Sequence, residues 1–337
     1  MPTVSIIIPC YNEQRTIRAL LTAIHAQTYP RASMEVIISD GMSTDHTRDA
    51  IQTFQKEYPD LRIHVIDNPE RNIPAALNRA IDAAKGMFVV RMDAHSVPAP
   101  DYVARCVNGL EQNKGENVGG VWEIAPGGES WVARSIAIAA SHRLGVGDAS
   151  YRYTTQAQYV DTLPFGAFRR DYLLEIGKFD HSLLTNEDYE LNTRIRHAGG
   201  RIWLDPKIRT TYFARDSFGK LIQQYWRYGY WKAKMLQRYP DTLRWRQALP
   251  PLFVLGILLG WVFALFSPVL KWIYVAIAGM YFTLLLLAGI HAATKNRDVT
   301  IAIGIPIAIA LMHFSWGSAM LWSTASILRT RLRGNHK

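Results

Sequence analysis

Short apolar runs alternate with amphipathic stretches along the first hundred residues. The runs are rich in β-branched residues and predict strands at residues 3–8, 35–39, 62–66 and 87–92. Between them, apolar residues recur every three or four positions, which predicts helices over residues 13–27, 44–58 and 73–84. Strands that alternate with helices indicate an α/β fold with a parallel sheet covered on both faces.

Parallel sheets bind ligands beyond the carboxyl ends of their strands. Polar residues lie at three of these predicted ends, in the segments around Asn12, Asp40 and Asp93. The first strand is followed by PCYNE rather than by the GxGxxG turn of dinucleotide-binding proteins. The sequence therefore predicts a ligand site at this edge that does not use a glycine-rich phosphate loop.

The last ninety residues follow a different pattern. Three stretches lack Asp, Glu, Lys and Arg, namely residues 247–270, 272–294 and 299–328. Each reaches the ~20 residues that a helix needs to cross a bilayer, and a buried core helix rarely stays uncharged for so long. We expect three hydrophobic membrane segments. One of them being re-entrant or interfacial is the alternative, with Pro250-Pro251 and Pro306 marking the candidates.

The formal net charge of +10 is placed unevenly. Residues 1–206 carry −4, residues 207–246 carry +8 and residues 247–337 carry +6. Basic charge that collects around hydrophobic segments favours a membrane surface as the partner rather than nucleic acid. The positive-inside rule puts these basic stretches on the cytoplasmic side. Three full crossings would separate the tail from the +8 stretch, so the sequence leaves the number of crossings open.

These patterns divide the chain into four predicted parts. They are an α/β domain at 1–215, an amphipathic basic and aromatic region at 216–246, hydrophobic membrane segments within 247–328, and a basic tail at 329–337. Aromatic and basic residues are interleaved in the second part, which is typical of a helix that lies in the membrane interface.

Five ordered blocks carry a resemblance to a known family. They read SIIIPCYNE (5–13), SDGMSTDHT (39–47), RMDAHSVP (91–98), GAFRRDYLLEIGKFD (166–180) and NEDYELNTRIRHAGG (186–200). Together they resemble the family 2 glycosyltransferases, and most of all the membrane-bound glucosyltransferases of succinoglycan-type exopolysaccharide synthesis. The resemblance covers about residues 4–231 and implies the GT-A fold, a Rossmann-like, mostly parallel sheet, with membrane helices after it.

The resemblance implies a set of donor-binding positions in the first half of the chain. They are Pro9, Tyr11, Asn12 and Glu13 in the first nucleotide-contacting loop, Asp40 on the uracil ring, and Arg71 on the phosphates. The second block departs from the family's usual DDGSTD, because Ser39 replaces an aspartate and Met42 is an extra residue. A plain strand-to-helix turn and a solvent-exposed Arg71 are the alternatives.

Asp93 and His95 resemble the DxD metal site of the family. A divalent ion that bridges the donor phosphates neutralises charge on the departing diphosphate. Histidine stands here in place of the second aspartate, and imidazole suits Mn²⁺ better than Mg²⁺. We therefore expect a divalent cofactor, Mn²⁺ before Mg²⁺, held by Asp93 alone or by both residues. The alternative is a strand-end turn with a surface histidine.

Glu187 and Asp188 resemble the ED motif, whose aspartate takes the proton from the acceptor hydroxyl. Asp188, Leu191 and Ile195 recur at helical spacing, so Asp188 is expected in the first turn of a helix, whose N-terminus would keep the carboxylate ionised. Glu187 is the second candidate for the base. A helix-end charge without a catalytic role is the alternative.

Two further segments resemble acceptor-side and membrane-side motifs. Gly166 and Phe168 lie in a block that resembles the acceptor loop, although a simple turn fits as well. Gln224, Arg227 and Tyr228 resemble a looser QxxRW motif, with tyrosine where tryptophan is expected. The resemblance puts Gln224 and Arg227 on the donor and Tyr228 on the acceptor.

The resemblance predicts an inverting, metal-dependent glycosyltransferase at the cytoplasmic face of a bacterial inner membrane. It would move glucose from a UDP-sugar to a polyprenyl-diphosphate-linked glycan for exopolysaccharide synthesis. A processive polysaccharide synthase is one alternative, but three hydrophobic segments are few for a tunnel unless chains form a homo-oligomer. The others are a glycosyltransferase acting on polyprenyl phosphate and a nucleotide-binding membrane scaffold without catalysis.

Overall fold

The computed structural model describes residues 2–334, so the end of the predicted basic tail, with Lys337, lies outside the described residues. The chain divides into two units, the first made of residues 1–123 and 150–212 and the second of 124–149 and 213–337. The first unit corresponds to most of the α/β domain predicted at 1–215. Residues 124–149 group with the C-terminal helices instead, because their core residues pack against those helices.

The elements through the first unit follow the predicted order. The strands are β1 (Val4–Cys10), β2 (Met34–Asp40), β3 (Arg62–Asp67), β4 (Phe88–Arg91), β5 (Ser96–Pro98), β6 (Asn117–Ala125), β7 (Gln158–Tyr159), β8 (Ala167–Arg169) and β9 (Ile202–Phe213). The helices are α1 (Ile17–His25), α2 (Thr47–Glu57), α3 (Ile73–Ala83), α4 (Tyr102–Glu111), α7 (Arg170–Glu175) and α8 (Glu187–His197). Two further helices of the chain, α5 (Trp131–Ser141) and α6 (Arg143–Val146), belong to the second unit. The four strands and three helices predicted for the first hundred residues are confirmed.

Within residues 2–334 the strands form one nine-stranded sheet in the order β3-β2-β1-β4-β8-β6-β9-β5, with β7 paired to β9. The first four strands in this order are parallel. Strand β8 pairs antiparallel with β4 and β6, and β9 pairs antiparallel with β5 and β7. The sheet is therefore mixed, with a parallel half that matches the predicted α/β pattern.

Strands β1, β2 and β4 are buried on both faces, and most of their residues are apolar. Strand β3, at the edge of the sheet, is exposed along most of its length. In β1, Ile6 and Ile8 belong to one core cluster with residues of α1, α2 and α4. Ile7, between them, points to a second cluster that contains Leu77 and Ile81 of α3. Burial on both faces fixes the strands in register, so their carboxyl ends form a well-defined edge.

The second unit is helical over most of its length. Besides α5 and α6 it contains α9 (Phe218–Leu236), α10 (Trp245–Ala264), α11 (Pro268–Asn296) and α12 (Ile301–Gly334). The long α12 packs on α9, α10, α11 and α5, and an ion pair of 2.9 Å joins Arg134 of α5 to Asp298 between α11 and α12.

Three helices among the described residues are long and apolar enough to cross a membrane. They are Trp245–Ala264, Pro268–Asn296 and Ile301–Arg333, of 20, 29 and 33 residues. Pro250 and Pro251 lie inside α10, and Pro306 lies inside α12, and both helices continue through them. Each predicted hydrophobic segment thus corresponds to one of these helices, although the first helix ends at Ala264 rather than at residue 270.

Candidate active site

The loops after β1 and β2 are joined to each other at the carboxyl edge of the sheet. The amide of Asn12 donates to Ser43 Oγ over 2.8 Å, and Asn12 Oδ1 accepts from the Thr44 amide at the same distance. The amide of Glu13 donates to Thr47 Oγ1 over 2.8 Å. These bonds hold the predicted nucleotide-contacting loop, with the exposed Tyr11, as one surface with the loop after β2.

Asp40, at the end of β2, is fully buried and both of its carboxylate oxygens are engaged. Oδ1 accepts from Ser43 Oγ over 2.5 Å, and Oδ2 accepts from the Ser43 amide over 3.1 Å and from Arg48 Nε over 2.6 Å. Arg48 also donates to Asp67 Oδ1 over 2.5 Å. Asp40 therefore anchors this loop, and the predicted uracil contact would require residues 41–43 to move.

The turn before α3 places Arg71 and Asn72. Asn72 is the N-cap of α3, since its side chain accepts from the amide of Ala75 over 2.9 Å. Arg71 has a φ of 52° and an exposed side chain. It is positioned on the surface of the first unit, where a guanidinium can meet an anionic ligand.

Asp93 and His95 follow β4 in a tight turn. The amide and the hydroxyl of Ser96 both donate to the carbonyl oxygen of Asp93, over 3.0 and 2.7 Å. His95 Nδ1 lies 3.2 Å from Oε1 of Glu13, which comes from the loop after β1. The Asp93 and His95 side chains are 17% and 31% exposed. The fold thus brings Glu13 to the predicted metal motif.

Within residues 2–334, no three or more His, Cys, Asp or Glu side chains form a group that could hold a metal ion by themselves. An ion that is shared with a substrate needs fewer protein ligands, because the phosphates of a nucleotide and water fill the remaining positions. The Asp93 oxygen and the His95 nitrogen are donor types that Mn²⁺ accepts.

Arg91 is the residue at this site that the sequence reasoning missed. It ends β4 and its side chain is 2% exposed. Its Nε and Nη2 donate to Oδ1 of Asp93 over 3.3 and 3.2 Å, and Nη2 also donates to Glu187 Oε1 over 3.0 Å. Its Nη1 donates to Asp188 Oδ1. One guanidinium therefore joins the predicted metal aspartate to both carboxylates of the ED motif.

Two aromatic rings enclose this guanidinium. The centroids of Phe165 and Phe179 lie 5.8 and 5.7 Å from the Arg91 Cζ, within cation–π range. The sequence did contain a signal for the role of Arg91. It is a single arginine at the end of the apolar run FVVR, and a buried charge requires partners. Which partners those are depends on residues almost one hundred positions away.

The charges of this cluster change the pKa of its members. Burial by itself would lower the pKa of Arg91, but Asp188, Asp93 and Glu187 outweigh it and the pKa lies above its ordinary value. Burial raises the pKa of Asp188, and Glu187 and Asp93 add to this, against the opposing effects of Arg91 and the Phe165 amide. Burial among carboxylates thus acts against the expected effect of the N-terminus of α8, which favours the ionised form of Asp188.

The segment with Gly166 and Phe168, which was predicted to contact the acceptor, is buried in the first unit. Phe168 lies in β8 with 1% exposure, so the predicted acceptor contact is wrong and the side chain packs in the core. Gly166 has a φ of 74°, and a Cβ there would lie 2.3 Å from Asn117 Oδ1. Its carbonyl accepts from the amide of Arg91 over 3.0 Å. Gly166, immediately before β8, thus holds the backbone of Arg91 in place.

Gln224, Arg227 and Tyr228 lie one turn apart on α9, in the second unit. Gln224 Nε2 donates to the hydroxyl of Tyr228 over 3.0 Å. Their predicted contacts with donor and acceptor stay predictions.

The family described as glycosyl transferase family 2 matches residues 5–177. The chain is 30% identical over 97% of its length to the succinoglycan biosynthesis protein ExoA of Rhizobium meliloti (strain 1021), and the match covers 96% of that protein. The chain belongs to glycosyl transferase family 2. The predicted family and enzyme class are confirmed.

Two further proteins are similar to this family 2 glycosyltransferase. One, 29% identical over 93% of the chain and 94% of its own length, is the dolichyl N-acetyl-alpha-D-glucosaminyl phosphate 3-beta-D-2,3-diacetamido-2,3-dideoxy-beta-D-glucuronosyltransferase of Methanococcus voltae. The other is a solved structure, the mannosyltransferase PcManGT from Pyrobaculum calidifontis in complex with GDP-Man and Mn²⁺. It superimposes with a TM-score of 0.61 and 21% identity, over 96% of this chain and 87% of that one. This likeness shows the fold, which is GT-A as predicted.

Replacing Asp40 by asparagine tests the anchoring network without any ligand. We expect Asp40→Asn to lower the free energy of unfolding by about 1–3 kcal/mol, because the Ser43 amide and Arg48 lose a buried charged acceptor. Thermal unfolding in detergent without nucleotide measures this. Asp67→Asn is the matched control, since Asp67 shares Arg48 but is 62% exposed. Equal, small shifts in both variants would show that Asp40 does not anchor the loop.

Proposed function

We propose that the protein transfers glucose from UDP-glucose, with inversion, to a polyprenyl-diphosphate-linked glycan. The observation that carries this proposal is the pairing of Asp93 and Asp188 through one buried guanidinium. This arrangement keeps a donor-side carboxylate and a proton acceptor at the same edge of the sheet. A transfer from a nucleotide sugar needs the first group near the leaving diphosphate and the second near the acceptor hydroxyl.

Asp188 is the proposed base. One of its carboxylate oxygens takes the proton of the acceptor hydroxyl, while the hydroxyl oxygen bonds to the anomeric carbon. The bond between that carbon and the phosphate oxygen of UDP breaks, and its electron pair leaves with UDP. Attack from the face opposite the leaving group converts an α-linked donor to a β-linked product. A raised pKa makes the ionised Asp188 a stronger proton acceptor than an exposed aspartate.

The residues after β4 fit a divalent cation. Asp93 and His95 would hold it, with Glu13 orienting the imidazole through Nδ1, as carboxylates commonly orient ligating histidines. The cluster also has three carboxylates against the one guanidinium of Arg91, an excess of negative charge that suits a cation nearby. When bound, the ion would supply Lewis-acid stabilisation of the leaving diphosphate. We propose Mn²⁺ because a nitrogen ligand replaces the usual oxygen.

The donor is proposed to lie along the carboxyl edge of the parallel strands. The loop from Pro9 to Glu13 would contact the nucleoside, as the family resemblance implies. Asp40, which the resemblance also assigns to the nucleoside, would reach it only after a movement of residues 41–43. Arg71 is exposed at the start of α3 and would pair with a phosphate. The side chain of the next residue, Asn72, caps the helix.

A lipid-borne acceptor is supported by two observations. Three helices of the second unit are candidate membrane spans. The relative from Methanococcus voltae is named for an acceptor attached to dolichyl phosphate. Since residues 207–246 carry +8 immediately before and at the start of the first span, we place the first unit on the cytoplasmic side of a bacterial inner membrane. A polyprenyl-linked glycan would present its hydroxyl at that surface.

A panel of UDP-sugars tests this proposal. We expect release of UDP from UDP-glucose alone, dependent on Mn²⁺ and on extracted lipid-linked acceptors, with a product one sugar longer. Mass spectrometry of the lipid product measures the increment. A long polymer would indicate a processive synthase, and a sugar on polyprenyl phosphate would indicate the other enzyme class. No release with any UDP-sugar would contradict the proposal, and membranes without the protein are the control.

Replacing the proposed base separates catalysis from binding. We expect Asp188→Asn to lower kcat on the order of 10²–10⁴-fold, because an amide does not accept the proton. Binding of UDP, measured by calorimetry, should stay nearly unchanged. Glu187→Gln is the comparison, and we expect it to lose less activity because Asp188 remains. Near-normal turnover of Asp188→Asn, or a greater loss in Glu187→Gln, would show that Asp188 is not the base.

His95→Asp restores the usual DxD pattern and tests the metal preference. We expect the ratio of kcat/KM with Mn²⁺ to that with Mg²⁺ to fall by about tenfold, since an all-oxygen set favours the harder ion. Titration of Mn²⁺ by electron paramagnetic resonance gives the affinity independently of turnover. Asp101→Asn, at an exposed carboxylate beyond β5, is the control. An unchanged ratio together with unchanged Mn²⁺ affinity would exclude His95 as a ligand.

A further inference from the structure

We infer that Arg91 is a positioning residue, whose planar guanidinium sets the distance and orientation of Asp188 relative to Asp93. The inference rests on the proposed function, because it assigns Asp188 as the base and Asp93 to the donor side. It adds a residue that acts through other side chains and does not itself meet the substrate.

The three donor arms of Arg91 are divided among different carboxylates. Nη1 donates a hydrogen bond to Asp188, Nε donates to Asp93, and Nη2 donates to both Asp93 and Glu187. A guanidinium is a rigid planar fork, so the positions of its acceptors are fixed relative to one another. Asp93 and Asp188 are 95 residues apart along the chain, and this fork is a direct link between them.

The guanidinium itself is held firmly. Arg91 pairs with Ile7 in the register between β4 and β1, and its amide donates to the carbonyl oxygen of Gly166, immediately before β8. Its side chain is enclosed by the rings of Phe165 and Phe179. Because the backbone and the side chain are both fixed, Arg91 transmits the position of the sheet edge to the start of α8.

Glu187 gains a definite role in this arrangement. Its side chain is 10% exposed, and its Oε1 accepts from Nη2 of Arg91 over 3.0 Å. It therefore fixes the fork from the side of α8 while Asp188, the next residue, keeps its own contact with Nη1. Glu187 is thus a partner of the positioning residue rather than a second base.

The variant that tests this inference, Arg91→Lys, keeps the positive charge but removes the planar guanidinium. Arg91→Lys supplies one ammonium, which is a point charge that cannot hold three carboxylates in one plane. We expect kcat to fall by about 10²-fold, the size of effect that a misplacement near 1 Å produces. The KM for UDP-glucose and the affinity for Mn²⁺ with UDP, measured by electron paramagnetic resonance, should stay within about threefold of wild type, as expected when ground-state binding is retained.

Arg194→Lys is the matched control. Arg194 lies on α8, donates to Glu190 over 2.7 Å, and also bonds backbone carbonyls of Ile176 and Lys178. We expect this substitution to lower the thermal midpoint but to leave kcat unchanged. A loss of kcat in both variants in proportion to their loss of stability would reduce Arg91 to a structural role and overturn the inference.

Glu187→Gln keeps the inference testable if Arg91→Lys does not fold. It removes the anchor of Nη2 while Arg91, Asp93 and Asp188 stay in place, and we expect about a tenfold loss of kcat with unchanged KM. A normal kcat in Arg91→Lys would overturn the inference, and if that variant does not fold, a normal kcat in Glu187→Gln would do so. In either case, sugar transfer by the wild-type protein would still support the proposed function. Absence of sugar transfer and of Mn²⁺ binding with UDP in the wild type would instead reject the proposed function.

Discussion

The buried cluster of Arg91 with Asp93, Glu187 and Asp188 is the interaction on which the rest of the site depends. Desolvation of charges is costly, and such a cluster is retained only with good geometry and complete hydrogen bonding. Here the charge on one guanidinium is shared by three carboxylates from two distant segments. Without the arginine, the negative charges of these three carboxylates would be buried without a counter-charge. Arg91 therefore supports both the site and the local fold.

The sheet provides the geometry that this cluster requires. Burial on both faces fixes β1 and β4 in register, and this places Arg91 and Asp93 at one edge. Phe165 and Gly166 have φ values of 69° and 74°. Asn186, immediately before α8, has a φ of 69°. Left-handed backbone at non-glycine residues such as Phe165 and Asn186 is uncommon and concentrates at functional sites, and both of these residues lie next to members of the cluster.

Local pattern was sufficient for much of this fold. Apolar runs and helical spacing predicted the first four strands, three helices and the start of α8, since these depend on neighbours within a few residues. The pairing of Arg91 with residues 187 and 188 is a long-range contact that periodicity does not encode. The same holds for Phe168, whose burial depends on the strands beside it, and for Asp40, whose partners include Arg48. Local spacing also does not reveal that residues 124–149 pack with the C-terminal helices.

A structure of the wild-type protein with UDP and Mn²⁺, with anomalous scattering to locate the metal, tests the central claim most directly. We predict one anomalous peak in direct contact with a carboxylate oxygen of Asp93 and a ring nitrogen of His95, next to the diphosphate. We also predict that Arg91 still joins Asp93 to Asp188. A peak remote from both ligands, or a guanidinium turned away from Asp188, would contradict it.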